Sequence, residues 1–407
     1  MKIALCAPAD LHALAQMCGQ PCDNVAAGLG STATTPLIGE FLRRGHEITL
    51  YTLSKDVTEK KVYHWQHLRI VVGPFRQHHL AATYFWPEIN FLERTIRKDA
   101  PKFVHAHWTY EFALGALRSG VPTLTTIHDL PWKVLWYYRD AHRAIRLLMA
   151  YEVALRGTHF TAVSQSAAKH FVRAFKPGAT IQVVPNGLAD EVFALGDHAR
   201  QRNGRAITFA TVLQGWSRRK NAKTALEAFA IARRQLTNAR LIQFGEGYEP
   251  EGEANRFAAA HGLDRDVIFA GPVPHETLLR RLREEVDVVV HPSLDEAFSM
   301  AALEALALRK ALIAGETTPG MREMLGPSGG VLIDVRHPAP IAQAMCQLAL
   351  NDNYRLHLAN RSFERVREHY RLGAAAACYE NLYRQLFRTQ SADVCALKPR
   401  LPIGLDA

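Results

Sequence analysis

Along the chain, short runs of β-branched and aromatic residues alternate with longer stretches whose apolar positions recur three and four apart, the spacing of a helix face. The short runs predict strands at Ile3–Cys6, Glu47–Tyr51, Arg69–Val72, Phe103–His107, Thr123–Ile127, Phe160–Val163 and Ile181–Val184. A second series follows at Ile207–Thr211, Arg240–Phe244, Val267–Ala270, Asp287–His291, Ala311–Ala314 and Val331–Asp334. Helices are predicted over Thr34–Arg44, Asn221–Leu236 and Ser299–Leu308, and over Phe363–Phe387, where Tyr370, Tyr379, Leu382, Tyr383 and Leu386 are available for packing. Alternating β and α elements imply α/β architecture, with parallel sheets covered by helices on both faces. Val184-Pro185-Asn186-Gly187 ends the first series with turn chemistry, and a polar stretch at 197–205 precedes the second. The expected organisation is two Rossmann-like doubly wound domains, 1–187 and 188–370, then a helix at 371–390 and an irregular tail at 391–407. Ligands of open parallel sheets bind at the carboxyl ends of the strands, so chemistry is sought in the loops that follow them.

With 48% hydrophobic and 22% charged residues over 407 positions, the chain has enough apolar surface to bury cores, which excludes disorder. No apolar run approaches the ~18 residues of a membrane span. The N-terminal run stops by Asp10, so a secretory signal is not expected and a cytoplasmic location is. Of the six cysteines only Cys18 and Cys22, near His12, cluster, and no second Cys/His pair follows at metal spacing, so no metal site is expected. The net charge of +10 lies mostly in residues 1–190, which suits an acidic partner: nucleic acid, anionic lipid or a phosphorylated substrate.

Four strand-end segments carry candidate chemistry. His291-Pro292-Ser293-Leu294-Asp295-Glu296-Ala297-Phe298-Ser299-Met300 runs from a strand into a helix that Ser299 would cap, with Glu304 inside the helix. A helix N-terminus offers free N–H groups to a phosphate, and Glu296 and Glu304 would grip hydroxyls on either side of it. Equally, Glu296 would cap the helix and Glu304 lie on its solvated face. Gln214-Gly215-Trp216-Ser217-Arg218-Arg219-Lys220-Asn221 places three cations after a strand, where they would neutralise a diphosphate or simply meet solvent. Ala27-Gly28-Leu29-Gly30-Ser31-Thr32 is glycine-rich but lacks the dinucleotide fingerprint and Walker A spacing. Thr126-Ile127-His128-Asp129 puts a histidine at a strand end, with His105 and His107 placed likewise on the preceding strand.

Together these segments resemble the family-four retaining glycosyltransferases of the two-Rossmann GT-B type. The resemblance also covers Arg44-Gly45-His46-Glu47, Val104-His105-Ala106-His107-Trp108, Val184-Pro185-Asn186-Gly187, Phe244-Gly245-Glu246-Gly247 and Phe269-Ala270-Gly271-Pro272-Val273. Glu296 and Glu304 look like the family's Glu-x7-Glu motif. The resemblance implies that Glu296 contacts the donor sugar, Glu304 the ribose, and Ser299, Met300 and Ala301, with Phe298 beside them, the phosphate or sugar oxygens. Lys220 matches the diphosphate lysine. His128 would lie near the transferred sugar, Gly28 and Gly30 near the diphosphate or acceptor, and Pro272 and Val273 by the base, with Gly245 also among the donor-binding residues. The C-terminal helix would cross back to the first domain. Three departures stand out: Gly215 or Gln214 where an arginine is usual, with Arg218 or Arg219 as its replacement; Asn221 where glycine follows the lysine; and Ala297 and Ser299 in place of glycines.

The function so implied is metal-independent, retaining transfer of a hexose-type sugar from a nucleotide-diphosphate sugar, UDP- or GDP-linked, without a further cofactor. The acceptor would be a glycan, a lipid-linked molecule or a small molecule, and no Asp-x-Asp ends a strand. Tyr84-Phe85-Trp86 with Arg94, Arg97 and Lys98, and Trp132-Lys133 through Trp136-Tyr137-Tyr138-Arg139 with Arg143 and Arg146, mix aromatics with cations. Such faces suit a peripheral position on the anionic inner face of a membrane or a phosphorylated acceptor, and ordinary helix packing equally. An epimerase or hydrolase on the same fold, and a non-catalytic nucleotide-sugar-binding protein, remain alternatives; nucleic acid is not expected as a partner, and the oligomeric state is left open.

Overall fold

The computed structural model describes residues 1–197, 206–327 and 329–388. Most of the polar stretch at 197–205 and the tail expected at 391–407, Cys395 included, lie outside the described residues. Two sheets organise the chain. The first contains β1 (Lys2–Cys6), β2 (Glu47–Ser54), β3 (Lys61–Trp65), β4 (Leu68–Pro74), β5 (Val104–His107), β6 (Thr123–Ile127), β7 (His159–Ala162) and β8 (Gln182–Val183). Its order is β3-β4-β2-β1-β5-β6-β7-β8, parallel except at β3. The second contains β9 (Ile207–Val212), β10 (Ala239–Phe244), β11 (Val267–Gly271), β12 (Val288–His291), β13 (Ala311–Gly315) and β14 (Val331–Ile333), in the order β11-β10-β9-β12-β13-β14 and wholly parallel. This is the two-domain α/β fold of the GT-B type.

Central strands are buried on both faces, as parallel strands between helix layers must be: all four residues of β12 and of β5 are buried. Helices close each face, with Phe41 packing beside Leu5 and Ile48 on one side of the first sheet, and Ile89 and Leu92 beside Val71 on the other. Each such side chain contributes about 1.5–3 kcal/mol by leaving water.

Two expectations need correction. The sequence pattern does not predict strand β3; only Trp65 of its five residues is buried, so this antiparallel edge strand lacks a continuous apolar signal. The single helix expected over Phe363–Phe387 is two, Asp352–His369 and Leu372–Arg388. At the break, Leu188 N donates to the Tyr370 carbonyl (2.9 Å) and Leu372 N to the Leu188 carbonyl (2.8 Å), so a strand-like bridge replaces the helical ladder.

The last helix packs on the first domain. Tyr379 and Tyr383 enter its core, and Glu380 is held by Arg44 Nε (2.5 Å) and His46 Nε2 (2.8 Å). Where the domains meet, Ala297 of the second joins the core of the first, and Phe298 packs against the cores of both. The Glu323 carboxylate accepts from Gln165 N (2.8 Å), Ser166 N (2.7 Å) and the Ser166 hydroxyl, joining helix Pro319–Leu325 to the N-terminus of helix Gln165–Ala174. Among the described residues no helix is long and apolar enough to cross a membrane.

Candidate active site

Loops at strand carboxyl ends of both sheets converge between the domains. Ser299, in extended conformation, accepts from Ala302 N (3.2 Å) and so starts helix Met300–Ala307. The first N–H groups of a helix have no intrahelical partner, which leaves Met300 and Ala301 at its positive end. Glu296, buried just before this helix, meets the loop after β9: its Oε1 lies 2.5 Å from Lys220 Nζ and its Oε2 3.6 Å from Arg219 Nη2. The two loops interlock, since Leu294 N donates to the Arg219 carbonyl (2.9 Å). Asn221 explains one departure from the family pattern: at φ +56° it takes the left-handed conformation glycine would supply, which asparagine tolerates better than most residues. Its side-chain amide donates to the carbonyls of Pro292 (3.2 Å) and Val335 (2.7 Å), adding ties that glycine lacks.

The electrostatics follow from burial and pairing. Burial alone would raise the Glu296 carboxyl, but Lys220, Arg219 and His291 outweigh it and hold the group down to about 2. Glu296 is therefore an anion at neutral pH, an acceptor and not an acid. Its neighbour Asp295, fully buried, is pushed upward by burial against the pull of Arg219 (3.4 Å) and Lys133 (3.6 Å). Arg218 is exposed, so of the two arginines Arg219 is the one brought to the carboxylates.

Glu304, also buried, accepts from His275 Nε2 at 2.9 Å. His275 begins a helix just after Pro272 and Val273, so those two residues and Glu304 come to one end of the site. Gly245 follows β10 at φ +116°, and a Cβ there would lie 1.7 Å from the Leu213 carbonyl oxygen, which makes glycine obligatory. Sequence reading missed His275; its place three residues after Pro272 was the available signal.

Across the gap, a cavity of about 300 Å³ is bounded by Trp108, Tyr110, His128, Asp129 and Arg146 of the first domain and Arg219 of the second. Trp108 stacks on His128 at 4.1 Å, and His107 Nδ1 lies 2.9 Å from His128 Nε2. Burial pushes both histidines below the ordinary range, His107 to about 3, so both are neutral at neutral pH. Asp129 accepts from the Tyr110 hydroxyl (2.6 Å), and Arg146 lies over Tyr110 while pairing with Glu111 (3.0 Å). Of these, Trp108, Asp129 and Arg146 entered the sequence reading only within longer segments, and Tyr110 and Glu111 did not enter it; their spacing is meaningless until β5, β6 and the helix Ala141–Arg156 are assembled. Gly28 and Gly30 do not line this cavity. Gly28, at φ +79°, pairs with Asp10, where a Cβ would meet the Ala9 carbonyl oxygen at 2.2 Å, and Gly30 N donates to the same carbonyl. Phe298 is likewise a bridge between cores and not a cavity wall.

Comparison with known proteins follows the same division. Residues 31–192 match the family described as Glycosyltransferase Family 4, and residues 206–365 match Glycosyl transferases group 1. Both are families of glycosyltransferases, and each match covers less than half of the chain. A D-inositol 3-phosphate glycosyltransferase of Corynebacterium jeikeium is 30% identical over 219 residues, 51% of this chain, and the match spans about half of that relative, 52%. Among solved structures, sucrose-phosphate synthase from Thermosynechococcus elongatus superposes with a TM-score of 0.76 at 19% identity, covering 95% of this chain and 99% of that one. Anabaena HepE in complex with UDP gives 0.66 at 15% identity, covering 95% and 100%. At such identity these two structures speak to the fold of this glycosyltransferase-like chain.

Proposed function

We propose that the chain is a retaining glycosyltransferase that moves a hexose-type sugar from a nucleotide-diphosphate sugar to an acceptor held against the first domain. The observation that carries this reading is the meeting of Glu296 with Lys220 and Arg219 at the head of a helix, opposite His128. UDP is favoured over GDP by the fold neighbour crystallised with UDP. Glu304 and His275 would hold the ribose, with Pro272, Val273 and Gly245 toward the base.

The chemical task is to break an anomeric C–O bond while supporting charge on the departing diphosphate. Lys220, Arg219 and the N-terminus of helix Met300–Ala307 are fixed positive groups suited to that charge and require no metal ion to supply it. In the described state Lys220 is engaged by Glu296; a diphosphate would draw it away and leave the carboxylate to accept from sugar hydroxyls. Glu296 then orients the sugar and favours positive charge at the anomeric carbon. Attack from the face that the diphosphate leaves retains configuration, and the departing phosphate oxygen takes the acceptor's proton. Contact between the domains excludes water that would hydrolyse the donor.

A thermal-shift panel of UDP-, GDP-, ADP- and dTDP-sugars tests the reading, since a ligand at ~100 times its dissociation constant adds about 2.7 kcal/mol. One nucleotide series should shift the wild type; Lys220→Ala and Glu304→Ala should abolish the shift. Glu296→Ala should keep binding but lose turnover. Unaltered turnover in all three variants rejects the assignment.

A further inference from the structure

Helix Pro131–Tyr138 has two faces. Pro131, Val134 and Tyr138, three and four apart, line the catalytic cavity. Trp132, Leu135 and Trp136 instead line an open groove of about 500 Å³, completed by Ala141 and Ala144 of the next helix. Trp136 is 64% exposed and Trp132 45%. The apolar stripe runs on along helix Ala141–Arg156, because Ala141, Ala144, Leu148 and Leu155 share one face at helical spacing. Leu148 and Leu155 are 54% and 83% exposed. Trp132 Nε1 donates to the Tyr151 hydroxyl at 3.1 Å, tying the two helices together.

An exposed stripe of this kind marks an interaction surface, and its charge selects the partner. Lys133 and Arg146 turn to the catalytic side, where they meet Asp295 and Glu111, and beside the stripe Arg139, Arg143 and Arg156, with Arg118, stand against only Asp140 and Glu152. Both acids are occupied, Asp140 by Arg143 (2.9 Å) and Glu152 by Arg118 and Arg156 (2.7 Å each). The Arg139 guanidinium lies 4.7 Å over the Trp136 ring, where the stem packs on apolar surface and the head stays in water. A symmetric pairing of two copies would set these cations against each other. Anionic headgroups would satisfy them while the indoles and leucines enter the boundary with the acyl chains.

We propose that this face docks on an anionic lipid bilayer, with Trp132, Trp136, Leu148 and Leu155 in the interface and Arg139 among the headgroups. The catalytic cavity then opens one helix away from the lipid, so its acceptor is met at the membrane surface. That consequence rests on the transferase reading; the docking does not.

Co-sedimentation of the full chain with phosphatidylcholine vesicles, and with vesicles in which roughly a third of the lipid is phosphatidylglycerol, decides it. Binding to the anionic vesicles alone is expected, with a blue shift of tryptophan emission and weakening in high salt. The double variant Trp136→Ser/Leu155→Ser should partition roughly tenfold less or weaker still, and Arg139→Gln should lose binding severalfold. Every substituted side chain is solvent-exposed, and a retained melting temperature checks the fold. No vesicle binding, equal binding to neutral vesicles, or a double variant that binds as wild type overturns the proposal. So does a dimer in sedimentation velocity that the double variant dissolves. The nucleotide-sugar shift is read separately on the same proteins: its absence beside intact vesicle binding counts against the transferase reading and leaves the docking in place.

Discussion

Replacing Lys220 by methionine isolates the interaction on which the site is built. The methionine keeps most of the apolar stem and removes the ammonium 2.5 Å from Glu296. Glu296 titrates at about 2 against an ordinary 4.5. At about 1.36 kcal/mol per pH unit, that preference for the folded anion is worth roughly 3 kcal/mol at neutral pH. Burial opposes it and Lys220 is the strongest of the groups that sustain it, so without the lysine the carboxyl rises and most of the contribution is lost. Loss of one partner from a buried pair costs about 3–5 kcal/mol by independent measure, which agrees. For a domain of this size, roughly 3 kcal/mol corresponds to a fall in melting temperature of about 6–12 °C.

The pH dependence separates this cause from simple loss of packing. A depressed carboxyl stabilises the fold above its unfolded value near 4.5 and ceases to do so as pH falls toward 2. The gap between wild type and Lys220→Met, followed by calorimetry, should therefore persist above pH 4.5 and narrow as pH falls from there toward 2. In a Glu296→Gln background, where no anion remains, the lysine substitution should cost little. A variant as stable as wild type at pH 7, or a gap indifferent to both pH and Glu296→Gln, would refute the reasoning.

Two further outcomes are expected. The Glu304 hydrogen bond raises His275 above its ordinary 6.5, so the pair stabilises the fold below that value and loses its effect as pH rises; the stability difference between wild type and Glu304→Gln should be larger at pH 6 than at pH 9, with the His275 resonance titrating lower in the variant. Glu323→Ala removes the carboxylate that accepts from Gln165 and Ser166 across the domains, charge-assisted bonds worth about 1.5–3 kcal/mol each, so the equilibrium should shift by roughly a hundredfold or more toward separated domains and solution scattering should report a larger radius of gyration.

The two sheets were legible because parallel strands buried on both faces leave short runs rich in β-branched residues, as at Val288–His291 and Thr123–Ile127. What escaped depends on contacts between distant residues. The edge strand Lys61–Trp65 exists through its partner β4, and the break at Tyr370–Arg371 through Leu188. The motif Arg44-Gly45-His46 shows how one resemblance covers different kinds of work. Its arginine and histidine grip Glu380 on the returning helix, far along the chain, and so serve architecture.

The returning helix also reaches the site by another route. Tyr383 places its hydroxyl 2.6 Å from His105 Nδ1, the His105 ring lies tilted 4.1 Å from His107, and His107 meets His128 at 2.9 Å. Three adjacent imidazoles in a dry interior must all be neutral, because each charge would meet both burial and its neighbour, and burial indeed pushes all three below 6.5. A row of neutral rings is a spacer as much as a hydrogen-bond chain: it fixes the height of His128 at the cavity wall from the position of a helix contributed by the far end of the sequence. The histidine at a strand end could be picked out from its neighbours, whereas the element that seats it lies some 250 residues away, at Tyr379 and Tyr383. The reach of that contact gives the C-terminal helix its part in the site: Tyr379 and Tyr383 cover the face of β5 that carries His105 and His107 and so keep that pair dry, neutral and in line.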